Sequence, residues 1–349
     1  MRGRMTAKMG SRVQAKRYEI TQVGWPASVT GLHWGRNGAM FALGDGTVRF
    51  WRSGVRDAAV VEAHQGAILA ATVDGAGTGL LTGGDDGHLL HVTETGREVL
   101  ATAGGRWIDQ IALAPWGCLA WAYGKTVEIA HGNLKLDRTL SLESSCAGLA
   151  FSPKEERLAI AHNGGATIVS VAHLNAEPDR YECKGAHIAI TWSPDARFLI
   201  SAMQEHAVHA WRLRDKSSLY MHGYVSKPRC FSWSTKGRLL ATSGGLSALI
   251  WPFKGKNGPQ GQMAQEAGGH VAPVSAVAWH PVSKIVAIGH RDGVIALGEP
   301  GLDRSLFMRE ADGGAVTHLA WRWDGAILAF GAENGAAGLI DCTGLRKTS

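Results

Sequence analysis

Two pairs of histidines lie three positions apart, a spacing at which two imidazole rings could approach one metal ion. They are His88 with His91 and His206 with His209. Both pairs occur in alternating apolar stretches typical of β-strands, where residues three apart point to opposite faces. We therefore predict no metal site and no cofactor. Metal homeostasis through surface histidines is kept as a second alternative function.

Carboxylates are the next candidates for chemistry, since paired acids serve as general acid and base. Asp85-Asp86, Asp292 and Glu333-Asn334 are each followed directly by glycine. An acidic residue or Asn before Gly is typical of tight hairpin turns, because its side chain bonds the turn backbone and glycine accepts a positive φ. The chain has no GxxxxGK[ST], HExxH or GxSxG motif and no GxGxxG after a strand. We predict no catalytic residue and a protein that is not an enzyme.

Cysteine usage and hydropathy bear on the compartment. The five cysteines are far apart and form no CxxC pair, which favours reduced thiols in the cytoplasm over a disulfide framework. No run of about 18 apolar residues indicates a membrane span, and no apolar segment follows the basic N-terminus as in a secretory signal. We expect a cytoplasmic protein with no membrane partner.

The net charge of +6 comes from 36 Lys plus Arg against 30 Asp plus Glu. Six of these cations lie in residues 1–17, which contain no acid, so the remainder of the chain is balanced. We expect residues 1–17 to form a basic, disordered arm. Such an arm would add salt-dependent affinity for nucleic acid, and a nucleic-acid-associated protein is the first alternative function.

A repeat organises the rest of the chain. An alternating apolar stretch ends in a large residue and a turn, and two further apolar stretches follow. The large residues recur at intervals of 38 to 46 positions, averaging 41: Trp34, Val73, Leu113, Phe151, Trp192, Trp233, Trp279 and Trp321. Eight repeat units of short strands at this period predict a closed, repetitive all-β fold.

The repeat resembles the WD40 family of β-propellers, whose units of similar length form four-stranded blades. The motifs that carry the resemblance are Asp45 to Trp51, Ser152-Pro153, Ser193-Pro194, Ala186-His187 and Gly269-His270. The resemblance implies a single β-propeller over residues 18–343, followed by a tail at 344–349. Eight anchors predict eight four-stranded blades, with seven as the alternative. The eighth unit lacks an outer strand, which the segment from Tyr18 to Thr21 can supply by pairing the two ends of the ring.

The resemblance also assigns structural residues. The family's buried hydrogen-bond set has its nearest counterpart in Glu205, His187, Ser201 and Trp211, with Glu in place of Asp. The second unit has His64 and Asp86 but Val92 at the tryptophan position. Other tryptophans close first or third strands and are expected to pack between blades: Trp34, Trp51, Trp233, Trp251, Trp279 and Trp321.

By analogy with the family, a partner would bind the loops around the central channel. This face is expected to be basic and aromatic, with few acids, and to present Arg106, Trp107, Tyr123, Lys125, His162, Gln204, His206, Lys227, Arg229, His290 and Arg291. Arginine and aromatic residues dominate interface energetics. We therefore predict a non-enzymatic scaffold that binds an acidic segment of a protein or peptide. A polar insertion from Lys254 to Gln262 is expected to form a mobile loop in the sixth unit.

Overall fold

The computed structural model describes residues 18–344, except Asn133, Leu134, Leu174 and Asp303. The expected arm at residues 1–17 and, apart from Gly344, the expected tail lie outside these residues. No helix in the described part of the chain is long and apolar enough to cross a membrane.

The described residues form thirty β-strands. The first half of the chain contains β1 (Ile20–Gly24), β2 (Val29–Trp34), β3 (Ala39–Leu43), β4 (Thr47–Trp51), β5 (Ala59–Glu62), β6 (Ile68–Val73), β7 (Gly79–Gly84), β8 (His88–Thr93), β9 (Gly96–Thr102), β10 (Gln110–Leu113), β11 (Leu119–Tyr123), β12 (Thr126–His131), β13 (Lys135–Ser141), β14 (Gly148–Phe151) and β15 (Arg157–Ser170). The second half contains β16 (Asp179–Trp192), β17 (Phe198–Met203), β18 (Ala207–Arg212), β19 (Ser217–Met221), β20 (Phe231–Trp233), β21 (Leu239–Thr242), β22 (Ala248–Pro252), β23 (Gln265–Ala267), β24 (Val274–Trp279), β25 (Val286–His290), β26 (Ile295–Gly298), β27 (Ser305–Arg309), β28 (Val316–Trp321), β29 (Ile327–Ala332) and β30 (Ala336–Asp341).

The strands form antiparallel sheets arranged as a β-propeller. Six sheets have four strands each: β2 to β5, β6 to β9, β10 to β13, β20 to β23, β24 to β27, and β28 to β30 with β1. The seventh sheet has six strands, β14 to β19. First strands of neighbouring units lie side by side at seven junctions, including β28 beside β2. At the eighth junction, Trp233 Nε1 of β20 lies 3.4 Å from Thr191 Oγ1 of β16, so the arrangement closes into a ring.

The six-stranded sheet explains a difference from the expected blade count. Strand β15 folds back on itself, so that its two ends lie side by side. The residues that flank it are bonded, from Val171 N to Glu156 O at 2.8 Å. Strand β16 pairs with β15 through Tyr181 and with β17 through Ile190, and so runs from the fourth repeat unit into the fifth. All eight expected first strands are present, but β16 is one uninterrupted strand that serves as the outer strand of the fourth unit and the first strand of the fifth, which groups the strands into seven sheets. The prediction of eight separate four-stranded blades is therefore wrong, and the seven-blade alternative matches the sheet count.

The two ends of the ring meet in one sheet, as predicted. Strand β1 pairs with β30 in a register that runs from Ile20 opposite Ile340 to Gly24 opposite Ala336. Backbone bonds extend the pairing at both ends, from Trp25 N to Gly335 O at 2.8 Å and from Asp341 N to Glu19 O at 2.9 Å. Without β1, strand β30 would present an unpaired edge.

Apolar packing between neighbouring sheets forms the core. Glycines in second strands allow the next unit to approach closely: a Cβ added to Gly331 would lie 2.4 Å from Val29 Cγ1. The same arrangement recurs at Gly83 against Ile108 and at Gly289 against Val316. Burying each such aliphatic side chain contributes about 1.5–3 kcal/mol. Repeated contacts of this kind hold the sheets together.

Candidate functional site

One face of the ring, here called the rim face, carries two kinds of connecting segment. The segments that lead into first strands are 25–28, 63–67, 103–109, 142–147, 184–186, 222–230, 268–273 and 310–315, and the turns between second and third strands are 44–46, 85–87, 124–125, 163–164, 204–206, 243–247, 291–294 and 333–335. Backbone bonds join these segments: Cys146 N donates to Gly124 O at 2.8 Å, and Arg291 N donates to Pro273 O at 2.9 Å. The rim face is therefore held by hydrogen bonds between its loops.

The residues predicted to contact a partner differ in their exposure. Seven are exposed: Arg106, Trp107, Lys125, Gln204, His206, Arg229 and Arg291. His162 and Lys227 are half-buried, whereas Tyr123 and His290 are buried. The structure therefore places most of these side chains on the surface, whereas Tyr123 and His290 lie in the interior.

Tyr123 supports the surface rather than forming it. Its hydroxyl donates to Glu128 Oε1 at 2.7 Å, and the Arg106 guanidinium lies 4.1 Å from its ring centre. Burial and the bonded Glu128 carboxylate raise the pKa of Tyr123. The expectation that Tyr123 contacts a partner is wrong, because the ring is covered by Arg106 and packed between sheets.

His290 is likewise part of the interior. It is the last residue of β25, its side chain is fully buried, and its Nδ1 lies 2.8 Å from the carbonyl oxygen of Ala272. Burial lowers the pKa of His290, which favours the neutral ring. The expectation that His290 lies on the docking surface is therefore also wrong.

Three exposed aliphatic residues on the rim face are a feature that we did not predict. Val225, Leu246 and Val271 are 54%, 47% and 84% exposed. Their segments are bonded together, from Val225 N to Gly244 O and from His270 N to Leu246 O, each at 3.0 Å. We call these three residues the rim patch. Their signal in the sequence is an apolar residue in each of three adjoining polar or glycine-rich loops.

Cations lie close to the rim patch. Lys227 and Arg229 follow Val225 in the same connection, and Arg229 N donates to Ser243 Oγ at 3.0 Å. Arg291 is tied through Pro273 to the connection that carries Val271. Among the described residues, none of these three cations forms an ion pair. The rim patch therefore lies beside three cations that form no ion pair and beside one acid, Asp292, whose carboxylate is bonded to His270 at 2.7 Å.

The buried histidine set assigned to the fifth unit is only partly formed. His187 Nδ1 and Ser201 Oγ are 2.7 Å apart, but the Glu205 carboxylate accepts from Ala186 N, and Trp211 Nε1 lies 3.4 Å from Glu182 O. The expected network is incomplete because Glu205 and Trp211 bond backbone groups, the amide of Ala186 and the carbonyl of Glu182, rather than His187 and Ser201.

The second unit has a more complete set. His64 bonds Asp86 through Nδ1 at 2.9 Å and Thr82 through Nε2 at 2.8 Å. Burial opposes ionisation of Asp86, but the bonds from His64 and from the Gln65 and His88 amides lower its pKa to about 2. Val92 fills the tryptophan position within the apolar core.

A tyrosine replaces histidine in the sixth unit. Trp251 Nε1 donates to the Tyr224 hydroxyl at 2.8 Å, and that hydroxyl lies 2.8 Å from Thr242 Oγ1. These buried hydrogen bonds link the second and third strands of the sheet to the segment that leads into its first strand. Tyr224 was not singled out from the sequence.

The remaining structural tryptophans occupy strand ends. Trp51 and Trp279 donate to carbonyls of their own turns, Val55 O at 2.8 Å and Ser283 O at 3.2 Å. Trp233 is half-buried and packs against Phe253, with ring centres 5.0 Å apart. Each of these contacts lies within one unit, and the expectation that these tryptophans pack between blades stays a prediction.

The histidine pairs contact different groups. His91 Nε2 bonds Asp74 at 2.9 Å, whereas His88 lies 3.4 Å from Asp86. His206 is exposed and His209 is buried. Within the described residues, no three His, Cys, Asp or Glu side chains are grouped so that they could hold a metal ion.

The inserted segment at residues 254–262 is packed against the body. Gly258 and Pro259 are buried, and a Cβ added to Gly258 would lie 2.8 Å from the Phe198 ring. Arg212 Nη1 also donates to Asn257 Oδ1 at 2.9 Å. The middle of the segment is therefore held against the fifth unit, which differs from the expectation of a mobile loop.

Comparisons with known proteins give a match to one repeat family over a short segment and a match to a much longer protein. The family described as WD domain, G-beta repeat matches residues 261–297. Telomerase protein component 1 of Rattus norvegicus is 26% identical over 295 residues, which cover 80% of this chain and 10% of that protein. The chain thus spans about a tenth of the length of this curated relative.

A solved structure shows the same fold. The computationally designed Ika8 protein superimposes with a TM-score of 0.73 at 17% identity, covering 91% of this chain and 97% of the designed one.

Proposed function

On the premise that the matched repeat, the related protein and the fold support the WD40 β-propeller family, we propose that this chain is a protein-interaction scaffold whose rim face binds an acidic, apolar segment of a protein partner. The single observation that carries the proposal is the rim patch beside three cations that form no ion pair among the described residues. No catalytic role is assigned to any residue in this proposal.

The apolar part of the binding energy would come from the rim patch. Exposed apolar side chains with polar neighbours are characteristic of interaction sites, and each aliphatic side chain buried by a partner contributes about 1–2 kcal/mol. Because backbone bonds hold the three loops together, little conformational freedom would be lost on binding.

The charged part would come from Lys227, Arg229 and Arg291. A cation without an ion-pair partner can donate hydrogen bonds to a partner's carboxylate without first breaking an internal ion pair. These charges would also speed association with an acidic segment, and that effect weakens with added salt. The exposed Arg106, Trp107 and Lys125 extend the same chemistry across the ring.

The proposal places the interaction in the cytoplasm. All five cysteines are unpaired, and burial raises the pKa of Cys118 and Cys146 to about 12, so these thiols stay protonated at neutral pH. Unpaired buried thiols are ordinary in reducing compartments. The nucleic-acid alternative depends on residues 1–17, outside the described residues, and stays a prediction.

Selection of random peptides displayed on phage tests the proposal. We expect the purified chain to enrich peptides that combine Asp or Glu with large apolar residues. Val271→Asp should weaken binding of a selected peptide about tenfold or more, since it removes an apolar contact and adds a repelling charge.

The matched control is Val282→Asp, because Val282 is 66% exposed on the opposite face. This variant should bind the selected peptide as the unmodified chain does. Equal loss in both variants, or enrichment of basic peptides, would overturn the assignment of the rim face.

A further inference from the structure

The face opposite the rim face contains a depression of about 580 Å³ between the fourth, fifth and sixth units. Five cations line it: Lys154, Arg197, Lys236, Arg238 and Lys254. We call this feature the basic depression. All five residues are exposed.

The basic depression has a strong local charge imbalance. Its one lining acid, Asp195, is bonded by Arg197 at 2.6 Å. Among the described residues, the other four cations form no ion pair. Like charges held near one another repel, so an anion in this depression would relieve repulsion as well as gain direct bonds.

The walls are fixed by local hydrogen bonds and packing. Ser193 Oγ accepts from Arg197 N at 3.1 Å and from Phe198 N at 2.9 Å, which closes the turn that carries Arg197. Phe253 N donates to Arg238 O at 2.8 Å, and the Phe253 ring packs 5.3 Å from Phe198. The backbone positions of these two arginines are therefore set before any ligand arrives.

The inserted segment contributes to the same place. Lys254 begins it, and the segment is held by the Arg212 to Asn257 bond and by Gly258 against Phe198. An insertion that the repeat does not require thus forms one wall and supplies one of the five cations.

We propose that the basic depression binds a small molecule that carries several phosphate groups. Clustered Lys and Arg are the side chains that recognise phosphate, and a volume of about 580 Å³ lies within the range of roughly 300–1,000 Å³ typical of small-molecule sites. A concave site of this size favours a compact polyanion over an extended one. The site is separate from the rim face, so its test does not depend on the proposed scaffold function.

Isothermal titration calorimetry with inositol hexakisphosphate as the probe tests the proposal. We expect one molecule bound per chain, with an affinity that falls as sodium chloride is raised. Lys236→Ala and Lys254→Ala should each weaken binding by about tenfold, the value of one charge-assisted hydrogen bond. Lys254→Arg, which keeps the charge, should retain binding.

Lys284→Ala is the matched control, since Lys284 is exposed on the same face outside the depression; its affinity should be unchanged. Circular dichroism should show the same thermal transition for all variants. Unaltered affinity in Lys236→Ala and Lys254→Ala, or more than one molecule bound per chain, would overturn the site. Tighter binding of a 12-base single-stranded DNA than of the probe would overturn the small-molecule assignment.

Discussion

The indole Nε1 of Trp34 donates a 2.8 Å hydrogen bond to the carbonyl oxygen of Ala320, across a sequence separation of 286 residues. The same contact recurs between Trp192 and Ala150 and between Trp321 and Ala278. Each first strand has a strand partner on one side only, and residues 187–192 of β16 likewise pair with β17 alone. A tryptophan at the end of one first strand therefore satisfies a carbonyl on the first strand of the preceding unit.

Trp34→Phe should lower the free energy of unfolding by about 1–3 kcal/mol, because it removes this bond and part of a half-buried ring. Urea denaturation monitored by circular dichroism measures the change. Trp323→Phe is the control, since Trp323 is 78% exposed and should have little effect. Equal stability of the two variants would show that the Trp34 contact does not stabilise the ring.

Tyr224→Phe should destabilise the sixth unit by about 1–3 kcal/mol, because the Trp251 indole N–H loses its acceptor in a buried site. The ring volume is nearly unchanged, so the effect reports the hydroxyl. Tyr220→Phe, at a position 47% exposed, should be neutral in the same denaturation experiment. A neutral Tyr224→Phe would contradict the role given to this chain of bonds.

Acid should destabilise the fold through His209. Burial and the nearby His187 lower the pKa of His209 to about 4. Below about pH 6.5 the unfolded chain takes up a proton that the folded chain accepts only near pH 4, so stability falls between these values, by at most about 3 kcal/mol.

His209→Phe keeps an aromatic ring against Trp211 and removes the titrating group. Its stability relative to the unmodified chain should therefore rise as the pH is lowered from 7 to 4.5, measured by urea denaturation at each pH. The exposed His173 provides the control variant His173→Phe. A relative stability of His209→Phe that does not vary with pH would refute the assignment.

Gly258→Ala should be more destabilising than Gly255→Ala. Both glycines have positive φ, 57° and 72°, but a Cβ at Gly258 would meet Phe198 whereas one at Gly255 meets no atom within 4 Å. The left-handed conformation alone costs about 1–2 kcal/mol, and crowding adds about 1–3 kcal/mol at Gly258. Denaturation midpoints of the two variants measure the difference; equal midpoints would show that the inserted segment does not pack on Phe198.

The repeat period located every first strand, because each ends in a large residue before a turn. It did not reveal the merged sheet, since alternation alone cannot distinguish a connecting segment from a strand. Residues 184–186 of β16 lie in an extended path whose pairing depends on neighbours distant in sequence. The closure of the ring could be predicted because the last repeat unit lacked an outer strand and the segment that begins at Tyr18 had no place in any other unit.

The site could be predicted only in part. Tyr123 and His290 end second strands in which every residue is buried, so their place in the second strand of the repeat would have indicated burial. The exposure of Val225, Leu246 and Val271 depends on which neighbouring loops cover them. That information is absent from a local pattern, and the same holds for the convergence of Lys154, Arg197 and Lys236 from three units.

Pairing of β1 with β30 has a consequence for synthesis on the ribosome. Strand β1 emerges first, but its partner is made about 300 residues later, an interval of tens of seconds at roughly 5–20 residues per second. During that time the nascent chain can stack successive sheets outward from their local hairpins. Ring closure must bring β1 to β30, so the emergence of β30 from the ribosome sets the earliest moment at which the ring can close.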